Sequence, residues 1–446
     1  MAKILISPVG VGGRFKNPES LDREYQEAQY RIDGKEYTSR FTASALCQHF
    51  QLDGIIFIGT VRSMWEEVYR YFSEEVNLRQ SGNQIQFDED YWYSLATQID
   101  GLDHRSDLSE LDLARVNEVL GDRSKCILVK YGLDNEELWN NFNLIFEIIN
   151  FLDDGDEIYI DITHSFRSLP LFLFLIINFI KDLPREKNIH IAGIYYGMVD
   201  VVREMQNIHG EKFAPIVNLQ PFFDLTEWIK GSYIFNTYGD GKLIANLLKE
   251  QSPEISANIQ DLSEAINMGM APAIRKQATA LQKNLNAENN EVDTTKLEQS
   301  PFKYIKADLE STCERFVKRE LECQFQLRLA DWYFQNGRYS SAYLYLAESL
   351  VTYACEKENS QRVEADQKSL YSEEFRDKNK REYIYRGGEN RYGNFDRSLS
   401  KLYNKVSKIR NRIAHVTLNP GAARVNDAIE KWQDLYQEAS RIFNKF

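Results

Sequence analysis

The sequence predicts an open, mainly parallel α/β domain followed by an all-helical half. Over the first 200 or so residues, short runs rich in Ile and Val alternate with helix-like stretches. After about residue 220 the strand pattern stops and helical periodicity takes over. The composition, 43% hydrophobic and 27% charged over 446 residues, is that of a globular chain with a sizeable core. At about 150 residues per domain, the length has room for two or three domains.

The candidate strands are Lys3–Ile6, Ile55–Ile58, Cys126–Val129, Glu157–Ile162 and His190–Tyr196. Helix-like segments lie between them near 41–50, 64–77, 107–120, 136–152 and 169–182. Ile- and Val-rich strands separated by helices need cover on both faces, which predicts a buried parallel sheet. Residues 220–250 and 254–285 read as helices, and Ala287–Ser300 is a polar, acidic stretch suited to a linker. From Pro301 the chain is helical again. Arg328–Lys357 predicts a helix, a turn at Asn336-Gly337 and a second helix, one repeat-like unit without a second copy. Residues 358–395 read as a long exposed loop or frayed helix. The expected division is 1–215, a helical connector over 216–300, and 301–446.

The apolar run Leu169–Ile180 is 12 residues long, short of the roughly 20 that a bilayer span needs. It predicts a buried helix and no membrane association. Five cysteines, with no CxxC pair, indicate neither a zinc ribbon nor a disulfide framework and suit a reducing compartment. The N-terminus enters an apolar strand with no signal-peptide layout, so the expected location is the cytoplasm. No metal-ligand cluster is visible, and the expected chemistry is metal-independent.

The net charge of -13 argues against a general nucleic-acid coat protein. Between Arg376 and Arg412, however, twelve Lys/Arg stand against four Asp/Glu. A basic stretch in an acidic chain suits either a specific polyanion site or a solvated face. Tyr383, Tyr385, Tyr392 and Phe395 lie within it. Aromatics among cations suit single-stranded RNA, through stacking and phosphate contacts; they equally suit the packing of a small domain.

In open α/β sheets, ligands bind at the carboxyl ends of the strands. Three such ends are rich in small and polar residues. The first is Ser7-Pro8-Val9-Gly10-Val11-Gly12-Gly13. It is not the dinucleotide fingerprint, because Phe15 stands where the third glycine belongs, and no P-loop pattern occurs either. A nucleotide-dependent metabolic enzyme is therefore disfavoured. The second end is Gly59-Thr60-Val61-Arg62-Ser63-Met64-Trp65, and the third is Asp161-Ile-Thr163-His164-Ser165-Phe166-Arg167-Ser-Leu-Pro170. Hydroxyls, an imidazole and a guanidinium beside a helix N-terminus suit a phosphate or a nucleotide edge. Helix capping by Asp161 and Thr163 is the plainer alternative.

These three segments, with Pro221-Phe-Phe-Asp-Leu-Thr-Glu-Trp228 and Arg410-Asn-Arg-Ile-Ala-His415, resemble the Csx-type CRISPR-associated proteins. The resemblance implies an α/β Rossmann-like CARF domain followed by an all-α HEPN domain. It implies that the first dimerises and binds a cyclic oligoadenylate made by a type III CRISPR effector, and that the second then cuts RNA. The ligand residues it points to are Ser7, Pro8, Val9, Gly10, Gly12, Gly59, Thr60, Arg62, Ser63, Asp161, Thr163, His164, Ser165, Phe166 and Arg167. The activator expected is cyclic tetra-adenylate, which the same site would degrade slowly if His164 acts on it. A homodimer or higher oligomer of dimers is expected, with no stable complex with the CRISPR effector.

The HEPN signature is Arg, four to six residues, then His. Spacing alone decides nothing, since the chain holds three matches: Arg185…His190, Arg203…His209 and Arg410…His415. The first two flank a predicted strand. The third lies on a helix whose apolar residues, Leu399, Leu402, Val406, Ile409, Ile413 and Val416, are spaced alternately three and four apart. On that helix Asn411 and His415 share the face opposite the stripe, while Arg410 lies about 140° from His415. One helix therefore aims the two side chains apart, and a site shared between two copies, as the resemblance implies, would reunite them. His can move the 2′-OH proton near neutral pH, and Arg can bind phosphate oxygens through two donors. Asn411 would orient the imidazole or the phosphate, and the resemblance implies 2′,3′-cyclic phosphate and 5′-OH ends. Arg412, Lys408 and Arg391 are further RNA-binding candidates, and Arg412 rivals Arg410. A non-catalytic, ligand-sensing regulator that binds RNA or protein is the alternative.

Overall fold

The computed structural model describes residues 1–12, 23, 27–74, 85–164, 169–182, 187–202, 212–287, 301–318, 320–366, 397–414 and 425–444. Ser165, Phe166, Arg167, Arg391, His415 and the aromatics between Tyr383 and Phe395 lie outside the described residues. The chain forms two compact units, Met1–Asp224 and Leu225–Phe446.

The first unit is built on an eight-stranded sheet in the order β3-β2-β8-β7-β6-β1-β4-β5. Its strands are β1 Lys3–Val9, β2 Ala28–Ile32, β3 Lys35–Ser39, β4 Gly54–Gly59, β5 Lys125–Leu128, β6 Glu157–Asp161, β7 His190–Gly197 and β8 Phe213–Asn218. All neighbours are parallel except β2 with β3 and β7 with β8. The five expected strands are all present. Side chains alternate between faces, and in the central strands both faces are apolar. Ile4, Ile6, Ile56, Ile58, Ile158 and Ile160 pack on one side. Leu5, Val9, Ile55, Phe57 and Tyr159 pack on the other. Helices α1 Thr42–Phe50, α2 Trp65–Glu74, α3 Glu89–Gly101 and α4 Ala114–Leu120 cover the second face. Helices α5 Asn135–Phe146, α6 Ile148–Phe151 and α7 Leu169–Asp182 cover the first.

Three strands and a helix exceed the expectation. β2 and β3 form a hairpin whose turn residues Asp33 and Gly34 both have positive φ, the two-residue turn that matches strand twist. β8 carries Pro215, which breaks the look of a strand. α3 starts where Asp88 accepts the Tyr91 N–H at 3.1 Å. Leu169–Asp182 is the expected helix, and Leu173, Ile176 and Ile177 bury its inner face. Among the described residues no helix is long and apolar enough to cross a membrane.

The second unit is helical throughout its described residues. Its helices are α8 Gln220–Tyr238, inside which the division between the units falls, α9 Lys242–Leu248, α10 Pro253–Met268, α11 Ala271–Ala287, α12 Phe302–Val317, α13 Glu322–Gln335, α14 Tyr339–Asp366, α15 Arg397–Ala414 and α16 Val425–Phe443. One core runs from Trp228 to Phe443, so the helices before residue 288 share it with those after 301. Gly269, at φ 66°, separates α10 from α11, and Gly337, at φ 70°, turns α13 into α14. α14 continues through Asp366, so the first part of the stretch expected as loop or frayed helix is helical. Two tyrosines of α14 reach carbonyls of α16, Tyr343 at Ala428 (2.7 Å) and Tyr353 at Ile442 (3.1 Å). On α15 Leu399, Leu402, Val406 and Ile409 are buried as the periodicity requires, at about 1.5–3 kcal/mol each.

Candidate functional site

After β1 the chain builds an edge hairpin and then β4 and β5 on one side of β1; β6 returns on its other side. The reversal makes a crevice between the carboxyl ends of β1 and β6, where α/β sheets bind ligands. Ser7 bridges this seam, its Oγ donating to Asp161 Oδ2 at 2.8 Å. The other Asp161 oxygen accepts the Thr163 N–H (2.9 Å) and Oγ (2.6 Å). Thr163 Oγ in turn accepts the Gly197 N–H at 2.8 Å. One fully buried carboxylate thus knits together the ends of β1 and β6, and through Thr163 that of β7. These bonds tie the ends of three strands to one another.

His164 follows at the mouth of the crevice. Its Nε2 lies 3.5 Å from Thr42 Oγ at the start of α1, and that hydroxyl bonds the Tyr30 hydroxyl of β2 at 3.2 Å. Burial lowers the His164 pKa, against the opposing pull of Asp161 and Asp200, so the imidazole is neutral at pH 7 and can accept a proton. Burial also pushes the Tyr30 hydroxyl up to about 12, which keeps it protonated.

The other two expected loops interlock. Ser63 Oγ donates to the Val9 carbonyl (2.6 Å) and accepts the Thr60 N–H (2.9 Å). The Met64 N–H donates to the Gly10 carbonyl at 3.0 Å. A Cβ at Gly59 would lie 2.6 Å from Ser63 Oγ, and one at Gly12, where φ is 63°, would overlap the Met64 sulfur; both places require glycine. Arg62 donates to the carbonyls of Asp100 (2.8 Å) and Leu102 (3.1 Å), tying its turn to the end of α3. Ser7, Pro8, Val9, Thr60 and Ser63 are therefore buried scaffold. The surface of the crevice is offered by Gly10, Val11, Gly12, Thr163 and His164. Sequence reasoning missed Tyr30, Thr42 and Gly197, which reach the site from elements not connected to it by any motif.

In the helical unit, Arg410 is half-buried near the end of α15, while Lys408, Asn411 and Arg412 are exposed. The Arg410 guanidinium donates twice to Asn411 Oδ1, at 2.8 and 3.2 Å. Among the described residues no group of His, Cys, Asp and Glu is placed to hold a metal ion.

Residues 4–199 match the family model of the CARF domain of the CRISPR system endoribonuclease Csx1. Residues 4–199 thus form a CARF domain. Residues 224–321 match a second model, the second domain of the CRISPR-associated protein MJ1674. The MJ1674 protein of Methanocaldococcus jannaschii is 35% identical over 437 residues, which cover 94% of this chain and 63% of that protein. The chain thus spans less than two thirds of the length of this curated relative. A solved Csm6 from Enterococcus italicus, bound to cyclic hexa-2′-fluoro-hexa-dAMP, aligns over 99% of this chain and 94% of its own. Its identity is 12% and the TM-score 0.35.

Proposed function

We propose that this CARF protein is an endoribonuclease of type III CRISPR antiviral defence, switched on by a cyclic oligoadenylate, most simply cyclic tetra-adenylate. The observation that supports it most is the crevice itself: a glycine rim and a neutral His164, held by the Asp161 node, in a CARF domain. Half-exposed main chain at Gly10 and Gly12 admits a close approach of phosphate oxygens. The neutral imidazole suits an adenine edge and, as a base, a slow cleavage of the ring. There His164 would take a proton from a ribose 2′-OH, the oxygen would attack the adjacent phosphorus, and the 5′-oxygen would leave and be protonated by water.

Residues 301–446 take the HEPN role in this proposal. His415 moves the 2′-OH proton of single-stranded RNA, Arg410 binds the phosphate oxygens, and Asn411 orients one of them. Lys408, Arg412 and Arg391 contact the RNA backbone. Two copies of α15, in a homodimer or a dimer of dimers, supply the pieces that one helix aims apart. The activator favours that arrangement by binding it more tightly than the resting one.

The test is cleavage of a labelled single-stranded RNA in EDTA, with and without cyclic tetra-adenylate, by the wild type and His415→Ala. Cutting only with activator, lost on substitution, is the expected result. Activator binding without cutting would instead favour the non-catalytic regulator.

A further inference from the structure

Beneath the strand-end loops lies a buried ion pair that the activator site described above does not use. Glu66, in the first turn of α2, is 0% exposed and Arg23 is 7% exposed. Arg23 Nε donates to one Glu66 oxygen and Nη2 to the other, both at 2.7 Å, a two-pronged pairing. The same guanidinium holds three main-chain carbonyls. Its Nη1 donates to Val11 O (3.2 Å) and Arg62 O (2.7 Å), and its Nη2 to Ser63 O (3.2 Å). One side chain thus joins the loop after β1 to the loop after β4.

The direction of these bonds matters. In a trans peptide the C=O and the following N–H point opposite ways, so pinning the Val11 carbonyl inward turns the Gly12 N–H outward. The amides that follow the other two carbonyls are used within the turn, Ser63 N–H at Thr60 O and Met64 N–H at Gly10 O, both 3.0 Å. Gly12, at φ 63°, has no side chain to restrict it, so its geometry must be imposed from outside. Surrounding a buried pair with further hydrogen bonds is also the condition under which it is tolerated.

We propose that the Arg23–Glu66 pair is a positioning lock that holds the Gly10–Gly12 rim and the Thr60–Met64 turn in the shape that receives the activator. The lock rests on the reading of the strand ends as an activator site, and its residues act through the loops without touching the ligand.

The test compares the full-length wild type with the double variant Arg23→Met/Glu66→Leu. Replacing both charges with apolar groups of similar volume leaves no unpaired charge. Thermal midpoint, amide hydrogen exchange and binding of cyclic tetra-adenylate are measured. The expected result is a retained fold with exchange at Gly12, Ser63 and Met64 accelerated by about tenfold or more, and amides inside β1 and β4 unchanged. Affinity for the activator is expected to fall by about 30-fold, as pre-organisation is lost. Should the double variant not fold, Arg23→Lys keeps the charge opposite Glu66 but loses the fork, and the same loop amides should accelerate. Unchanged exchange at those amides in either folded variant overturns the lock. If the wild type binds no cyclic oligoadenylate, the activator reading falls, and the exchange result still decides whether the pair holds the loops.

Discussion

The strand-end crevice and the end of α15 both carry candidate chemistry among the described residues, and they are built differently. In the crevice polar groups are answered across elements: Ser7 by Asp161, Thr163 by Gly197, Ser63 by Val9. At the end of α15, the Arg410 guanidinium bonds its chain neighbour Asn411, and Lys408, Asn411 and Arg412 are exposed. A receptor for a constant ligand gains from being fixed in advance, because order established during folding is not charged again on binding. On the proposed reading, a nuclease that stays silent until called gains from a site completed only by a second copy of α15.

The comparison can be broken most sharply at the end of α15. His415→Ala should lower activator-dependent RNA cleavage by about 10²–10⁴-fold, and Arg410→Lys by roughly tenfold, because the planar two-donor fork is lost. Single-turnover cleavage checks both, and an Arg410→Lys protein with wild-type rates would pass the phosphate role to Arg412.

At the crevice the expected damage is to stability as well as binding. Asp161→Ala leaves two hydroxyls and an N–H near β1 and β6 without their acceptor, a cost of about 2–4 kcal/mol. Urea unfolding measures it; a loss under 0.5 kcal/mol would mean that the node is not structural.

A smaller effect separates the two regions by pH. Burial raises the Glu67 carboxyl to about 7, with Arg70 pulling it back down and Glu66 adding to the rise. The folded chain therefore holds a proton there that the unfolded chain releases above about 4.3. This contribution is full below about pH 4.3 and lost as pH rises through 7. Glu67→Gln should gain stability relative to wild type between pH 5 and pH 8, followed by urea midpoints. Parallel pH profiles would contradict the shift.

The smallest effect belongs to the exposed helix end, where Asn411→Ala should change unfolding stability by no more than about 0.5 kcal/mol while slowing cleavage. A large loss of stability would mean that α15 ends in a packed environment after all.

The central sheet was legible because strands buried on both faces read as unbroken apolar runs, as in Ile55–Ile58. The hairpin β2–β3 carried a readable signal, Asp33-Gly34, but its strands are polar and half-exposed, so no apolar run announced them. β8 was hidden by Pro215. In the site, the strand-end rule picked out loops that the fold brings together, yet the bond between Ser7 and Asp161 joins residues 154 apart in sequence. Only topology brings them together. Tyr30, Thr42 and Arg23 were invisible for the same reason, since each acts on the site from an unrelated stretch of chain.

The division of labour between the two regions is tested most directly by titrating labelled cyclic tetra-adenylate into full-length wild type, Asp161→Ala and His415→Ala. Binding by His415→Ala within about twofold of wild type, together with weakened binding by Asp161→Ala in a folded protein, is the predicted result. Equal binding by all three, or loss of binding in His415→Ala alone, would contradict the account.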